Sequence, residues 1–464
     1  MIDLRDAQAE IHGALRHLES HTPFAEALAQ GETGWTINLD HTGTSVRIDP
    51  VLSGVAFRAW AGDHWVEAAA GRLDGRSLKS AIDGLRRQLE SSGPRKSPPE
   101  TAATGREVAV HPPKHPIEAG DIETWIPRGE EYRTWARSVK GVSDGRVTLG
   151  ASTDVRLYLN SVGAERYQVV PRVFGGVIAI AIENGMARYD VVRSGGMGGQ
   201  EVLEPITEDR VQEAARSAVA LLRAKTPPAG RATIVLDPST AGTLAHESFG
   251  HGAEADQFVR HRSCLQPILG TQVAPDFFSI VDDGSYPGGW GSYYFDDEGT
   301  KPGPNYLIDH GKFSGVLHDR TTAAELGGTP TGNARRSDFL SRLWVRMTNT
   351  YIAPGDRSRE ELIQEARNGV LLEQFTSGVE DPLGGLMQIR VLKGRRIEHG
   401  RETELLGSMA LSGRVLDVMR SVRGVSRMER MEMEIGYCGK GHSDYIPVGS
   451  SGAYVLTEAT VGPA

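Results

Sequence analysis

The chain has almost no cysteine. Its 464 residues include two, Cys264 and Cys438, and two thiols are too few for the disulfide framework of small secreted domains. The first residues carry acidic side chains at Asp3 and Asp6, where a secretory signal has a basic and then an apolar segment. We therefore expect a cytoplasmic protein.

Long apolar runs and an excess of positive charge are also missing. The longest apolar stretch, residues 177–182, is far shorter than the roughly 18 residues of a membrane-spanning helix, so we expect no membrane span. The net charge is −9, and lysine and arginine are scattered without a basic stripe or interleaved aromatic residues. The sequence therefore argues against direct nucleic-acid binding.

A chain of this length exceeds a single core of ordinary size, and its patterns divide it in two. Residues 1–228 predict an amino-terminal domain of mixed helices and antiparallel strands. Within it, the proline-rich stretch near 91–118 predicts an exposed connection without regular structure. Residues 229–464 predict a β-rich carboxy-terminal domain that carries the metal-site helix. Because strands and helices cluster separately, we expect an α+β fold.

Three local patterns predict particular elements. Asn184-Gly185 lies between two apolar runs and is a strong hairpin signal. Residues 78–89 have apolar side chains at helical spacing, behind a predicted helix cap at Ser77. A last helix is expected over residues 402–422.

The most informative feature is the hexapeptide 246–251, with the sequence His-Glu-Ser-Phe-Gly-His. Two imidazoles and a carboxylate are the groups that hold zinc and activate its water. A regular helix turns roughly 500° over five residues and leaves the two histidines about 140° apart, so an undistorted helix would not chelate a metal. Gly250 lowers the cost of a widened turn such as a π-bulge.

A catalytic zinc site needs a third protein ligand, and the sequence leaves six candidates open: Cys438, Cys264, Glu254, Asp256, His261 and His442. Cys438 stands in a glycine-rich segment that permits close backbone approach to a metal, and Lys440 there would favour its thiolate. A lone cysteine such as Cys264 is commonly a small buried hydrophobe. The two carboxylates either orient an imidazole or are merely solvated.

Each of these patterns also has a purely structural interpretation. The histidine pair fits a helix with polar surface residues, and the segment around Cys438 fits a glycine-rich turn. The acidic run Asp296-Asp297-Glu298 fits a hard-cation site but is more typical of a turn. Residues 346–351 predict a strand whose polar side chains line a cleft or face water.

Several segments, in order along the chain, resemble the TldD/PmbA family of zinc metallopeptidases, also described as modulators of DNA gyrase. The resemblance covers most of the chain and is strongest in residues 246–256, 296–300, 332–336, 346–350, 438–441 and 447–449. It implies that His246, His251 and Cys438 bind Zn²⁺ and that Glu247 is the catalytic glutamate. The non-catalytic PmbA type lacks these groups, so the resemblance implies the catalytic, TldD-like type.

By the same resemblance, the expected activity is zinc-dependent hydrolysis of unfolded or extended peptides, in the maturation of a peptide precursor or in protein turnover. The expected assembly is a homodimer, or a heterodimer with a PmbA-like subunit. One alternative is a non-catalytic scaffold subunit that binds its partner without cutting it. Another is a zinc hydrolase whose substrates are not peptides.

Overall fold

The computed structural model of the chain describes residues 3–92, 97–99, 102–117, 122–428, 431–441 and 444–464. Most of its strands belong to three sheets, and the helices pack against them. The predicted α+β fold is confirmed. No helix among the described residues is long and apolar enough to cross a membrane.

The amino-terminal sheet is formed by strands that precede residue 198: β1 Ala25–Asp40, β2 Gly43–Ile48, β3 Leu52–Trp60, β4 Trp65–Ala70, β5 Gly105–Val110, β6 Val142–Asn160, β7 Ala164–Glu183 and β8 Met186–Met197. Their order is β4-β3-β1-β6-β7-β5, with β2 beside β1 and β8 beside β7. The predicted hairpin is confirmed, because β7 and β8 meet at Asn184 and Gly185. Both residues have positive φ, 50° and 78°, as a two-residue hairpin turn requires.

The two faces of this sheet have opposite chemistry. Four helices pack on one face: α1 Gln8–Arg16, α2 Gly75–Glu90, α3 Ile122–Arg137 and α4 Glu208–Leu221. Odd-numbered residues of β1, such as Ala27 and Ile37, lie in those apolar cores. Successive side chains of a strand point to opposite faces, so the even-numbered Glu26 and Glu32 point to the other face, toward the carboxy-terminal part of the chain.

The predicted helix over residues 78–89 is confirmed, but its predicted cap is wrong. The helix α2 begins after Asp74, whose carboxylate accepts a hydrogen bond from the Ser77 amide at 2.9 Å. Ser77 already lies in the first helical turn, so it supplies the amide that is capped rather than the capping oxygen.

After α4 the chain continues as strands β9 Gly230–Leu236, β10 Ile280–Asp283, β11 Pro304–Asp309, β12 Lys312–Phe313, β13 Ala334–Arg335, β14 Trp344–Val345, β15 Asn349–Ile352, β16 Gly369–Asp381, β17 Leu386–Glu398, β18 Arg401–Leu406, β19 Met409–Arg414, β20 Gly424–Val425, β21 Glu434–Lys440, β22 Asp444–Ser451 and β23 Val455–Pro463. A seven-stranded sheet has the order β16-β9-β23-β19-β17-β18, with β20 beside β23, and closes through an additional pairing of β16 with β17. A six-stranded sheet has the order β12-β11-β10-β15-β22-β21, and β13 pairs with β14 alone.

Short helices fill the space around these sheets: α5 Pro238–Ala245, α6 Ala255–Val259, α7 Arg320–Leu326, α8 Arg359–Ala366 and α9 Val415–Arg420. The helix predicted over residues 402–422 is wrong for most of its length. That segment forms β18, β19 and the six-residue α9, because pairing with β17 and β23 outweighs the weak helical periodicity.

The predicted proline-rich connection near 91–118 is partly regular. Residues 93–96, 100–101 and 118 lie outside the described residues, and β5 pairs with β7 in parallel. The main chain of β5 extends the edge of the sheet although its valines stay exposed. The predicted division after residue 228 falls between α4 and β9 and stays a prediction.

The helix α5 is held in place at its first turn and along its length. Asp237 caps it, accepting a hydrogen bond from the Thr240 amide at 2.8 Å. The second carboxylate oxygen accepts one from the Gln374 amide of β16 at 2.9 Å. A Cβ on Gly242 would lie 2.3 Å from the Ser451 nitrogen of β22, so α5 lies directly against that strand.

We expect Asp237→Ala to lower the midpoint of thermal unfolding more than Asp74→Ala does. Each variant loses a helix cap, which costs about 1 kcal/mol. Asp237→Ala also leaves the partly buried Gln374 amide without its acceptor, which adds roughly 1–3 kcal/mol. Scanning calorimetry of both variants at one pH makes the comparison, and equal shifts would contradict a stabilising role for the bond to Gln374.

Candidate metal centre

The two histidines of the hexapeptide lie on the same side of a distorted helix. Residues His246–Gly250 form a π-helical turn directly after α5, and the His251 amide donates to the His246 carbonyl five residues back. The imidazole centroids are 4.9 Å apart, and their planes cross at 86°. The widened turn expected at this spacing is therefore present, and it cancels the angular separation of a regular helix.

Gly250 has a packing role as well as a conformational one. A Cβ at this position would lie 2.0 Å from the sulfur of Met347. The π-helical turn is thus pressed against the segment between β14 and β15, and a side chain at position 250 would push it away.

Cys438 lies opposite the two imidazoles. Its Sγ is 3.2 Å from Nε2 of His251, and one ligand atom from each of His246, His251 and Cys438 lies within 4.8 Å of the others. All three side chains are buried. Residues far apart in the chain therefore bring two imidazole nitrogens and one sulfur to a common point.

The other candidate ligands are not part of this trio. Cys264 is half-buried near Gly385 and donates its amide to the Pro382 carbonyl. His261 is exposed, and His442 lies outside the described residues.

Charges around the trio favour the metal-binding form of the thiol. Burial by itself raises the pKa of Cys438, but His251 and His246 lower it more, and the net pKa is well below that of an ordinary thiol. Burial lowers the pKa of His251, but Cys438 raises it more. The net pKa of His251 is therefore well above the usual range of a histidine. The ammonium of Lys440, which we expected to favour the thiolate, donates to Glu254 and Asp256 at 2.7 and 2.8 Å.

Glu254 links both halves of the centre. Its Oε2 is 3.7 Å from Nδ1 of His251, and its Oε1 is 3.6 Å from Nε of Arg346. Arg346 in turn donates to the Cys438 carbonyl at 2.6 Å. Burial raises the pKa of Glu254, but Lys440 and His251 lower it more, and the carboxylate stays ionised. The expected orienting role thus fits Glu254, whereas Asp256 pairs with Lys440.

Four polar residues of the segment 346–351 are buried, namely Arg346, Thr348, Asn349 and Thr350, and Tyr351 is partly exposed. Thr348, Thr350 and Asn333 donate to the buried carboxylate of Asp282, at 2.8 to 2.9 Å. These bonds hold β15 to β10 through side chains as well as main chain. No local sequence pattern identifies Asp282 as the common acceptor.

Glu247 lies at a cleft of about 460 Å³ that the trio also lines. Two residues of β16 flank its carboxylate. A Cβ on Gly378 would lie 2.3 Å from Glu247 Oε1, and Glu380 Oε1 is 3.9 Å from Nδ1 of His251. Burial and then the Glu247 carboxylate raise the pKa of Glu380 to about 7, against the opposing effect of His251.

Glu380 was missed by the sequence analysis. It carries no local pattern, because a glutamate near the end of a strand is ordinarily solvated. Only the placement of β16 beside the π-helical turn brings its carboxylate within 4.8 Å of Glu247 and His251 ligand atoms.

The donor set fits a zinc ion. Two imidazole nitrogens and one thiolate are ligands that zinc prefers, and three protein ligands leave a position for water. The Nδ1 atom of His246 is buried and has no hydrogen-bond partner in the described part of the chain, which is uncommon for a buried polar atom.

The acidic run Asp296-Asp297-Glu298 does not form a hard-cation site. Asp296 accepts hydrogen bonds from the backbone amides of Glu298, Thr300 and Ala334. Glu298 pairs with Arg58 and Arg320. These carboxylates are therefore used to fold a turn and to balance arginines, as the alternative interpretation proposed.

Two family models match the chain. The PmbA/TldA metallopeptidase C-terminal domain matches residues 229–460, and the central domain of the same family matches residues 119–222. The chain belongs to the PmbA/TldD metallopeptidase family. The larger match contains both histidines, Glu247 and Cys438.

Relatives in this family are named as proteases. The chain is 37% identical to a metalloprotease of Methanothermobacter thermautotrophicus, over 70% of this chain and 71% of the relative. It is 28% identical to the metalloprotease TldD homolog of Haemophilus influenzae, over 88% of this chain and 86% of the relative. The fold is similar to the crystal structure of a Thermotoga maritima protein described as a putative modulator of a DNA gyrase. The TM-score is 0.79 and the sequence identity 18%, and the likeness covers 98% of this chain and 100% of the other.

We expect Cys438→Ser to lower the zinc content of the purified protein well below that of the wild type, because a thiolate is a far stronger zinc ligand than a hydroxyl. The matched control is Cys264→Ser, which should keep its zinc. Mass spectrometry of metal content after dialysis against a zinc buffer measures both. Unchanged zinc in Cys438→Ser would remove Cys438 from the ligand set.

Proposed function

We propose that the chain is a zinc-dependent peptidase of the catalytic, TldD-like type that hydrolyses unfolded or extended peptides. The observation that carries the proposal is the convergence of His246, His251 and Cys438 beside Glu247 at one open cleft. The three form the zinc ligand set, and Glu247 is the catalytic glutamate. Membership of a metallopeptidase family supports the same chemistry.

In this proposal the groups at the cleft have separate chemical roles. Zinc bound there supplies a Lewis acid that polarises a peptide carbonyl and lowers the pKa of water. The Glu247 carboxylate accepts a proton from the attacking water and passes it to the leaving amine. Glu380, when protonated, donates a hydrogen bond toward Glu247 and holds that carboxylate in place.

Extended substrates suit the strand that carries the third ligand. Within the described part of the chain, β21 pairs with β22 on one side and with no strand on the other. A peptide added along that free edge would satisfy main-chain donors and acceptors without a strict requirement for side chains. The exposed side chains of Val379, Tyr437 and Tyr445 offer apolar surface at the same cleft. Precursor maturation and protein turnover both supply such peptides.

The proposed assembly is a homodimer or a heterodimer with a PmbA-like subunit, as the family resemblance implies. A second subunit would cover the open cleft and exclude folded proteins. Both cysteines are free, which suits a reducing compartment such as the cytoplasm.

We expect Glu247→Gln to retain zinc and to lose peptide hydrolysis by a factor of roughly 10² to 10⁴, the usual contribution of a general base. The assay is cleavage of an unstructured peptide by the zinc-loaded protein, with a chelator-treated sample beside it. Glu398→Gln, a change at an exposed glutamate of β17, is the matched control. Undiminished cleavage by Glu247→Gln would refute the assignment, and zinc binding without any cleavage by the wild type would favour the scaffold alternative.

Gly378→Ala should mimic the loss of Glu247 without removing a ligand. The added methyl group would occupy the space of the Glu247 carboxylate, so we expect strongly reduced hydrolysis at wild-type zinc content. Gly176→Ala, in β7 of the amino-terminal sheet, is the control, since its Cβ would lie in ordinary contact, 3.9 Å from the Val192 carbonyl oxygen. Equal activity in the two variants would mean that the position of Glu247 does not matter.

A further inference from the structure

A second cavity, of about 110 Å³, lies where the even-numbered face of the amino-terminal sheet meets the carboxy-terminal part of the chain. Four arginines line it: Arg156, Arg172, Arg335 and Arg336. Its volume is enough for several water molecules or one small side-chain group. No part of the proposed hydrolytic mechanism uses it.

Two of these arginines have no carboxylate partner. Arg172 donates to the carbonyls of Trp290 and Ser292 at 2.9 and 3.0 Å, and Arg335 donates to those of Met347 and Pro447 at 2.6 and 2.8 Å. Among the described residues, no carboxylate oxygen lies within 4.0 Å of either guanidinium. Burial lowers the pKa of Arg335 to about 10, so it is still charged at neutral pH.

The cavity also has polar atoms without partners. Arg336 is 3% exposed, and both its Nε and the hydroxyl of Ser337 are buried with no hydrogen-bond partner in the described structure. Both residues line the cavity. Buried donors are nearly always paired, so these two donors point to a group that fills the space.

Four carboxylates also line the cavity, those of Glu32, Asp154, Asp296 and Asp297. Asp154 and Asp297 both pair with Arg156, and Asp296 accepts hydrogen bonds from three backbone amides. Burial and then Asp154 raise the pKa of Glu32 to about 7, which weakens it as a counter-ion. Arg156 therefore takes up two of these four carboxylates, whereas the guanidiniums of Arg172 and Arg335 have only carbonyl oxygens as hydrogen-bond acceptors.

The cavity adjoins the metal cleft. Tyr437 and Tyr445 line both spaces, and Tyr437 directly precedes Cys438 on β21. Side chains alternate between the two faces of a strand. In a peptide paired with the free edge of β21, a residue on the Cys438 side is therefore followed by one on the Tyr437 side, toward the arginines.

We propose that the arginine-lined cavity is a subsite for a carboxylate of the peptide substrate, supplied by a glutamate or aspartate side chain next to the cleaved bond or by the carboxy-terminal end of the peptide. The guanidiniums of Arg172, Arg335 and Arg336 and the hydroxyl of Ser337 receive the carboxylate. The inference rests on the proposed peptidase function, because it defines which peptides the cleft takes.

The test measures peptide binding and peptide cleavage separately. Fluorescent peptides carry a single glutamate scanned through each position, or glutamine at the same place, and each is made with a free or an amidated carboxy terminus. The zinc-loaded Glu247→Gln protein reports binding by anisotropy, and the wild type reports cleavage. We expect the glutamate peptide, or the free-acid peptide, to bind about tenfold or more tightly than its neutral match.

Variants of the cavity locate the effect. Arg336→Gln should remove the preference, Arg336→Lys should retain part of it, and Arg342→Gln, outside the cavity, should leave it unchanged. Because a change at a buried arginine can impair folding, Glu32→Gln is the second test, and it should strengthen carboxylate binding by removing a competing acid. Thermal unfolding and zinc content verify that each variant is intact.

The outcomes distinguish this inference from the proposed function. Cleavage of all peptides with no preference for a carboxylate would overturn the subsite and leave the peptidase standing. Selective binding without cleavage by the wild type would overturn the peptidase and leave the subsite standing. A carboxylate preference that survives in Arg336→Gln and does not rise in Glu32→Gln would place the anion elsewhere and overturn the inference.

Discussion

One hydrogen bond, from the amide of His251 to the carbonyl of His246, determines whether the two imidazoles can bind one metal ion. In an α-helix that amide would bond one residue later, and the rings would point to different sides. The π-helical turn is intrinsically less favourable than the α-helix that leads into it. Its surroundings stabilise it: Asp237 anchors the start of α5, Gly242 lets α5 approach β22, and Gly250 accommodates Met347.

The third donor is brought to the histidines by buried charges. Lys440 and Arg346 both contact Glu254, whose carboxylate lies close to Nδ1 of His251. Arg346 also donates a hydrogen bond to the Cys438 carbonyl. Such a network contributes little net stability, since desolvation offsets most of the attraction. It does penalise alternatives, because a shift of β21 would leave the Glu254 carboxylate buried without its ammonium partner. The charges therefore set the register of β21 relative to the π-helical turn.

A second buried charge network joins the amino-terminal sheet to the carboxy-terminal part of the chain. Arg58 contacts Glu26 at 3.1 Å and Glu298 at 3.0 Å, and Arg320 contacts the same two carboxylates. Polar pairing is directional, whereas apolar burial is not. This junction consequently has a defined geometry, and the arginine-lined cavity lies along the same sheet face, beside the metal cleft.

Local patterns in the sequence determined the elements whose stability is local. The Asn184-Gly185 hairpin and α2 follow from turn chemistry and from apolar side chains at helical spacing, and the α+β class follows from how such elements cluster. The need for a widened turn between His246 and His251 follows from helix geometry alone. Where neighbouring strands decide the outcome, as in residues 402–422, local periodicity was misleading, because strand pairing depends on partners that are distant in the chain.

The sequence by itself also indicated zinc chemistry, since the hexapeptide contains two imidazoles and a carboxylate. It left the third donor open, and only the resemblance to a family singled out Cys438. The tertiary structure decided which groups meet: it placed Cys438 at 3.2 Å from His251, Glu380 beside Glu247, and Cys264 elsewhere. The reason is physical. Residue types determine what a group can bind, whereas distances between residues far apart in the chain depend on packing and pairing that no local segment encodes.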